Sequence, residues 1–322
     1  MSRPAVSALL PIYNGMPFLH SAIIQISQNM SEQDEIIVVD DNSDDGSFEI
    51  LLNWSKIDSR VNLIKKSKGN EGLVKSLNLG CREAKNEWIA RFDVDDTYEN
   101  GRIHKQMNEL AINNYNVAAI FSDYKFISEN GLSLGTIPSA IYSEAVELSL
   151  ATSQRTAHPS VLFNKEAVTS VGGYREKDYL VEDLSLWIRL AKVGRLISIP
   201  EVLLEYRLHR KSTSQMNHNL MNLQRNNLWS ELQLSSSTLE LSEERILEIL
   251  DSYSNLPLGM SRSLLFVRDL SFVKKAKKLQ NFKKEIDFMI HISKKYNLNE
   301  LIVEPYNLIA YRQQRRKYRG II

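Results

Sequence analysis

The residues in this sequence best suited to chemistry are acidic, and they are clustered. Asp40-Asp41 leads into Asn42-Ser43-Asp44-Asp45-Gly46, Arg91-Phe92 leads into Asp93-Val94-Asp95-Asp96, and Glu182-Asp183 stands far downstream. Carboxylates gathered in one place repel one another unless a cation or donor groups neutralise them. A diphosphate carried with Mg²⁺ or Mn²⁺ takes hard oxygen ligands, usually one or two carboxylates with phosphate oxygens and water. Asp93 and Asp95 can supply such ligands, because side chains two apart in extended backbone share a face. An Asp-x-Asp is common by chance, and Asp41–Gly46 has the composition of a turn and helix N-cap. Glu182-Asp183 has an equally plain reading: acids ahead of the helical run Leu184–Ala191 favour its dipole.

What gives these acids weight is the set of elements that must position them. Val6–Tyr13, Glu35–Asp40, Val61–Lys65, Glu87–Asp93 and Val117–Phe121 read as strands. Between them, Pro17–Asn29, Phe48–Lys56, Gly72–Ala84 and Arg102–Ile112 read as helices. Continuously apolar strands separated by helices predict a parallel sheet of right-handed βαβ units. In such a sheet, ligands bind in the crevice beyond the carboxyl ends of the strands. Asp40-Asp41 closes the second strand and Asp93–Asp96 the fourth, so both clusters face the same edge. Downstream, Ser143–Ala151 looks helical, Ser160–Asn164 and Leu196–Tyr206 extended, and helical patterns dominate from Asn217, including Leu239–Leu256 and Phe266–Tyr296. The expected domains are 1–215, carrying the site, and 216–322, a basic helical extension.

Composition narrows the classes. The 322 residues are 43% hydrophobic and 25% charged, ordinary for a chain that buries a real core. One cysteine, Cys81, rules out an intramolecular disulfide framework, and with no Cys or His cluster a structural zinc site is not expected. No apolar run approaches the ~18 residues that span a bilayer, and the N-terminus does not read as a secretory signal. The expected location is therefore cytoplasmic. No Gly-x-Gly-x-x-Gly follows the first strand, which argues against a dinucleotide-binding Rossmann protein, and no P-loop motif occurs. A nucleotidyltransferase would also show a Gly-rich phosphate loop there, and Pro11–Pro17 lacks one. The net charge of +1 hides an asymmetry: residues 262–322 hold 15 Lys/Arg and 5 Asp/Glu. That basic end suggests an anionic partner, either nucleic acid or acidic lipid.

Taken in order, the motifs resemble family 2 glycosyltransferases of the GT-A fold, a large class of bacterial inverting sugar transferases. The resemblance runs from about Val6 to Ser214. It is carried by Pro11-Ile12-Tyr13-Asn14, Val39–Ser47, Asn70-Glu71-Gly72, Asn78-Leu79-Gly80 and Arg91–Asp96. It continues through His158-Pro159-Ser160, Gly172-Gly173-Tyr174, Glu182-Asp183 with Leu186-Trp187, and Tyr206-Arg207-Leu208-His209 with Ser212 and Ser214. The resemblance implies a GT-A (Rossmann-like), mostly parallel α/β sheet flanked by helices. It implies that Pro11 and Tyr13 line a nucleobase pocket and that Asp41 accepts a hydrogen bond from uracil. Asp93 would face the ribose or metal, Asp95 would ligate the metal bridging the diphosphate, and Lys75 and Arg91 would be basic positions near the nucleotide. Asp183 matches the catalytic base, while His209 and Ser212 match a segment that can close over the diphosphate. Among the residues expected at the acceptor, Glu182 would orient it or a loop, Trp187 would pack in the core or floor its site, and Tyr174 would stack on a sugar ring or stand as an ordinary loop tyrosine. Asn42 and Asp44 depart from the commoner Gly/Ala and Thr.

Inverting transfer is an in-line displacement. The acceptor hydroxyl loses its proton as it attacks, and the leaving diphosphate must be neutralised. One carboxylate suffices for the first task and a divalent cation, Mn²⁺ or Mg²⁺, for the second. The expected reaction moves a hexose, glucose or galactose, from a UDP-sugar to a hydroxyl of a lipid-diphosphate-linked saccharide during bacterial O-antigen or capsule assembly. The alternative is N-acetylglucosamine or rhamnose transferred to lipopolysaccharide core or teichoic acid. Such an acceptor lies at a membrane, so the basic stretch Lys274–Lys284 and the tail Arg312–Arg319 are expected to contact an anionic inner face, each cation contributing about 1 kcal/mol. Nucleic acid is not an expected partner.

Overall fold

Four of the apolar runs form a parallel set. Val6–Ile12 (β1), Glu35–Asp40 (β2), Val61–Lys65 (β3) and Trp88–Arg91 (β4) lie in the order β3-β2-β1-β4. β1 and β2 are buried almost end to end, so their sequences are continuously apolar and not alternating. Helices α1 (Leu19–Asn29), α2 (Ser47–Ile57), α3 (Leu73–Glu83) and α4 (Arg102–Ile112) follow the strands in turn. The computed structural model describes residues 3–231 except 68–69, 138, 140–145, 147–149, 151–155 and 210–211. All of these fall in the first of two compact units, Met1–Gln233.

Beyond β4 the sheet changes character. Val117–Phe121 reads as the next parallel strand, but the strand it opens, Ala119–Ser128 (β6), does not pair with β4. The short antiparallel strand Leu162–Asn164 (β8) is inserted between them. Leu196–Leu208 (β9) runs parallel to β6, and Thr97–Tyr98 (β5) and Ser133–Ile137 (β7) pair antiparallel with β9 and β6. The long strands β1, β2, β3, β4, β6 and β9 nonetheless all point one way, so their carboxyl ends share one edge. Helices α5 (Lys165–Ser170), α6 (Glu182–Leu190), α7 (Thr213–Met216) and α8 (His218–Glu231) complete the described elements. α6 begins two residues before the expected Leu184, which puts the acid pair inside its first turn.

The core includes Leu10, Val38, Trp54, Trp88, Phe92 and Met107. α3 closes on β1 at Gly80, where an added Cβ would run into Leu9. A helix-interior glycine costs about 1 kcal/mol relative to alanine, and here it permits the close approach. Inside this apolar mass lies Arg102, fully buried. It donates to the carbonyls of Arg91 and Val161, each at 3.0 Å, and lies over the rings of Phe92 and Tyr98 at 4.7 and 4.9 Å. Burial lowers its pKa to about 10. The Gln106 amide donates to the Ile120 and Ser160 carbonyls at 3.2 and 2.8 Å. Together these two side chains pin the end of β4 to β6 and to the turn ahead of β8.

Almost all of the expected helix Ser143–Ala151, the helices Leu239–Leu256 and Phe266–Tyr296, and both basic stretches lie outside the described residues. Among the described residues no helix is long and apolar enough to cross a membrane.

Candidate active site

The first acidic run is tied down by hydrogen bonds. The backbone N–H groups of Asn14 and Gly15, after β1, donate to the Ser43 and Ser47 hydroxyls at 3.0 and 2.9 Å. Met16 N–H donates to Asp45 Oδ2 at 2.9 Å, and Asp44 N–H to Asn14 Oδ1 at 3.0 Å. Burial raises the Asp45 pKa, but hydrogen bonds from Ser47 and Met16 outweigh it and hold the carboxyl below its ordinary value. Asp41 is buried, accepting from Glu71 N–H at 3.0 Å, Gly72 N–H at 2.7 Å and the Lys66 ammonium at 2.6 Å. It thereby fastens the Asn70-Glu71-Gly72 segment to the end of β2. Lys75, a half-turn into α3, is exposed near Glu71 and Glu176 at 3.6 and 3.9 Å. Neither Asp41 nor Lys75 lines the cavity at this edge.

That cavity, about 450 Å³, is lined by Pro11, Tyr13, Arg91, Ser212 and the second and third acidic groups. It falls within the ~300–1,000 Å³ typical of ligand sites. One carboxylate oxygen from each of Asp93, Asp95 and Asp96 lies within 4.8 Å of the others. Arg91, buried beneath them, donates to both oxygens of Asp93 at 2.7 and 3.2 Å. Burial raises the Asp93 pKa and the Asp95 charge adds to it, against the pull of Arg91. Asp96 is raised well above its ordinary value by burial and then by Asp95 and Asp93. Its Oδ1 accepts from Arg207 N–H at 2.8 Å, while His209 Nε2 lies 2.8 Å from Asp95 Oδ2. Three crowded, incompletely neutralised carboxylates fit a hard divalent cation in ligand type and in electrostatics. Asp96 is the member that sequence reasoning left out, although its adjacency to Asp95 was a signal.

Behind Arg91 is a buried aromatic layer. Arg91 Nη1 and the Tyr174 hydroxyl lie 3.0 and 2.8 Å from His158 Nε2. Both are donors, so Nε2 accepts and the ring is neutral, consistent with burial and Arg91 pushing its pKa well below the usual value. Trp187 is fully buried, 5.1 Å from Phe121 and 5.6 Å from His158 between ring centroids, and Tyr174 is 3% exposed. Of the two readings of Trp187, core packing is the one the structure shows, and Tyr174 likewise packs behind the cavity without lining it. Asn78 explains two separated motifs at once. Its amide donates to Tyr174 O at 2.8 Å and accepts from Tyr174 N–H at 2.9 Å, while Gly173, at φ +63°, carries the turn.

Glu182 and Asp183 enter the cavity from the first turn of α6. The chain reaches them through Leu180, whose φ of 76° is unusual for a side-chain-bearing residue; such conformations cost about 1–3 kcal/mol and gather at functional sites. Glu182 is 7% exposed, and burial, then the Asp183 charge, pushes its pKa up to about 7. Its Oε2 has no hydrogen-bond partner among the described residues. Asp183 is half-buried and accepts from Leu184 N–H at 2.7 Å.

The end of β9 closes the arrangement. Arg207 Nε donates to the Asp95 carbonyl at 2.7 Å, the His209 ring stacks 5.3 Å from Phe18, and the Ser212 hydroxyl donates to His209 O at 2.9 Å. Arg225 of α8 also lines the cavity, with its Nε unpartnered among the described residues. Nothing in its polar helical surroundings marked it in the sequence.

Residues 7–169 match the family model for glycosyl transferase family 2. An uncharacterized glycosyltransferase of Haemophilus influenzae is 30% identical over 227 residues, 67% of this chain and 69% of that protein. TuaG of Bacillus subtilis, provisionally assigned as a teichuronic acid biosynthesis glycosyltransferase, is 25% identical over 66% of this chain and 82% of its own length. Some relatives are longer, and the chain spans 45% of one from Rickettsia felis. Among solved structures, S. aureus TarS 1-349 in complex with UDP-GlcNAc is similar with a TM-score of 0.55 at 16% identity, over 85% of this chain and 90% of that one. Mannosyltransferase PcManGT of Pyrobaculum calidifontis, in complex with GDP-Man and Mn²⁺, is similar with a TM-score of 0.55 at 17% identity, over 98% and 88%.

Proposed function

This chain belongs to glycosyl transferase family 2, and from that premise we propose that it is an inverting, metal-dependent hexosyltransferase. Its donor is a UDP-sugar of glucose or galactose, and its acceptor is a hydroxyl of a lipid-diphosphate-linked saccharide in bacterial surface-polysaccharide assembly. The observation that carries this reading is the sharing of one cavity by Asp93, Asp95, Asp96 and Asp183. The complex of TarS with UDP-GlcNAc favours N-acetylglucosamine as the second donor reading.

Asp93, Asp95 and Asp96 would hold Mn²⁺ or Mg²⁺, which when bound supplies the positive charge that a leaving diphosphate requires. Arg91 grips both oxygens of Asp93 and sets its orientation, and His209 contacts one oxygen, Oδ2, of Asp95. Pro11 and Tyr13 border the space for the nucleobase. Asp41, occupied by two N–H groups and Lys66, serves the nucleotide by fixing the loop beside it. Asp183 takes the proton of the attacking hydroxyl. Glu182, protonated up to about neutral pH, leaves that side of the site with a single negative charge. The basic residues beyond 262 would bring the enzyme to an anionic membrane on the cytoplasmic side.

Calorimetric titration with UDP-glucose, UDP-galactose, UDP-N-acetylglucosamine and GDP-mannose, with and without Mn²⁺, tests the reading. Mn²⁺-dependent binding of one UDP-sugar is the expected result. Preference for GDP-mannose would displace the UDP assignment, and binding of none would remove the transferase reading.

A further inference from the structure

The cavity has a second wall that the donor chemistry does not use. Tyr124 and Phe126 stand two apart on β6, so they share a face of the strand. The parallel register sets Tyr206 of β9 directly beside Phe126. The three rings contact one another: Tyr124–Phe126 at 5.5 Å and Phe126–Tyr206 at 5.7 Å are edge-to-face, and Tyr124–Tyr206 is tilted at 6.3 Å. All three line the cavity that holds Asp95 and Asp183.

Sheet order separates this wall from the nucleotide. β1, which leads to Pro11 and Tyr13, lies on one side of β4, whereas β6 and β9 lie on the other. The carboxylates that follow β4 fall between them. With the nucleotide toward β1 and the diphosphate at the carboxylates, the β6–β9 side is left for the group that attacks. Its chemistry is specific. Tyr124 is 7% exposed and packs against the other two, whereas Phe126 and Tyr206 are half-buried, so their two rings give the apolar surface and the Tyr206 phenol a polar rim. A pyranose has that same division, with C–H bonds on its faces and hydroxyls around its edge. An alkyl chain would be served by aliphatic residues and has no use for the phenol.

We propose that Phe126 and Tyr206, backed by the buried Tyr124, form the acceptor subsite, stacking on the saccharide ring that carries or adjoins the attacking hydroxyl. The proposal rests on the transferase reading above and deepens it. It also supplies an accessible aromatic surface that Trp187 and Tyr174 lack.

The test is saturation-transfer NMR on the full chain with UDP and Mg²⁺, which unlike Mn²⁺ does not broaden nearby protons, using the methyl glycosides of glucose, galactose and N-acetylglucosamine as probes. Phe126→Leu and Tyr206→Leu keep apolar bulk and remove a ring, whereas Tyr206→Phe keeps the ring. Saturation should reach the ring C–H protons of at least one glycoside in the wild type and in Tyr206→Phe. It should fall by about tenfold in the two leucine variants, the scale of a lost aromatic contact. Mn²⁺-dependent UDP affinity, titrated separately on the same proteins, should stay unchanged, which also reports that the variants are folded. Undiminished transfer in the leucine variants, or none in the wild type, overturns the subsite. Loss of UDP affinity in those variants overturns it too, by placing the rings on the nucleotide. Failure of wild-type protein to bind UDP with Mn²⁺ would instead sink the transferase reading, and the glycoside arm repeated without UDP keeps the two failures apart.

Discussion

Two acidic runs of nearly equal composition, 40–45 and 93–96, end in opposite physical states. In the first, Asp41 faces two backbone N–H groups and a buried lysine, and Asp45 accepts enough hydrogen bonds to hold its carboxyl below the ordinary range. In the second, three carboxylates crowd together, and burial with mutual repulsion raises Asp93 and Asp96. The first run spends its charge holding loops in place. The second keeps charge in reserve, so it is the one that gains from a cation. A count of acids in the sequence cannot separate these cases; the count of donors around each can.

The contrast can be broken by substitution. The largest effect expected is on Asp95→Ala, which should abolish Mn²⁺-dependent UDP binding in calorimetry while leaving the melting temperature nearly unchanged; retained binding would erase the distinction between the runs. Asp183→Asn should preserve donor binding and lower kcat by about 10²-fold or more, the usual scale for a lost general base; near-normal turnover reassigns the base. Asp41→Ala should do the reverse of Asp95→Ala. It should cost about 1–3 kcal/mol in denaturant melts, with the same loss whether or not Mn²⁺ is present. It removes the nearest carboxylate from buried Lys66, which keeps Glu71 at 3.7 Å and the Ser76 hydroxyl at 3.2 Å, and takes the acceptor from two backbone N–H groups.

Glu182→Gln sharpens the comparison through pH. The carboxyl pKa of a glutamate is ordinarily 4.5, and burial beside Asp183 pushes it up to about 7 in the fold. Between those values the native state holds a proton that the unfolded chain has released, so wild-type stability falls as pH rises from about 4.5 to 7. Thermal melts should therefore show the variant gaining on the wild type by about 1–2 kcal/mol at pH 8 and matching it below pH 4.5, where both forms are neutral. A difference that does not vary with pH would remove Glu182 as the titrating group. Asp44→Ala should be the smallest change, within about 0.5 kcal/mol, since its exposed carboxylate makes no hydrogen bond among the described residues.

The parallel half of the sheet was legible because strands buried on both faces must be apolar throughout, as β1 and β2 nearly are, while β3 and β4 keep the apolar run with Asn62, Lys65 and Arg91 toward its margins. β5 and β7 were not, being short and lying at the margins, and β8 was expected as extended chain but not as an antiparallel insertion. That insertion is a tertiary pairing, set by where Arg102 and Gln106 hold the preceding turn. In the site, strand-end position brought out Asp93 and Asp95, and motif order brought out Asp183. The aromatic residues were the hardest to place. Trp187 and Tyr174 sit in recognisable motifs yet pack inward. Tyr124 and Phe126 looked like nothing because strand propensity alone accounts for aromatic residues in β6. Burial decides such cases, and burial is a property of the assembled sheet.

Three neighbouring residues at and just past the end of β9 carry one last implication. Tyr206 stands in the aromatic wall, Arg207 binds the carbonyl of Asp95 and, through its own N–H, the carboxylate of Asp96, and His209 reaches the Asp95 side chain. Whatever stacks on the first and whatever is gripped through the others must share a single segment of backbone. Any shift of that segment on occupancy of one place would be felt at the other, and by thermodynamic reciprocity the influence would run equally in both directions.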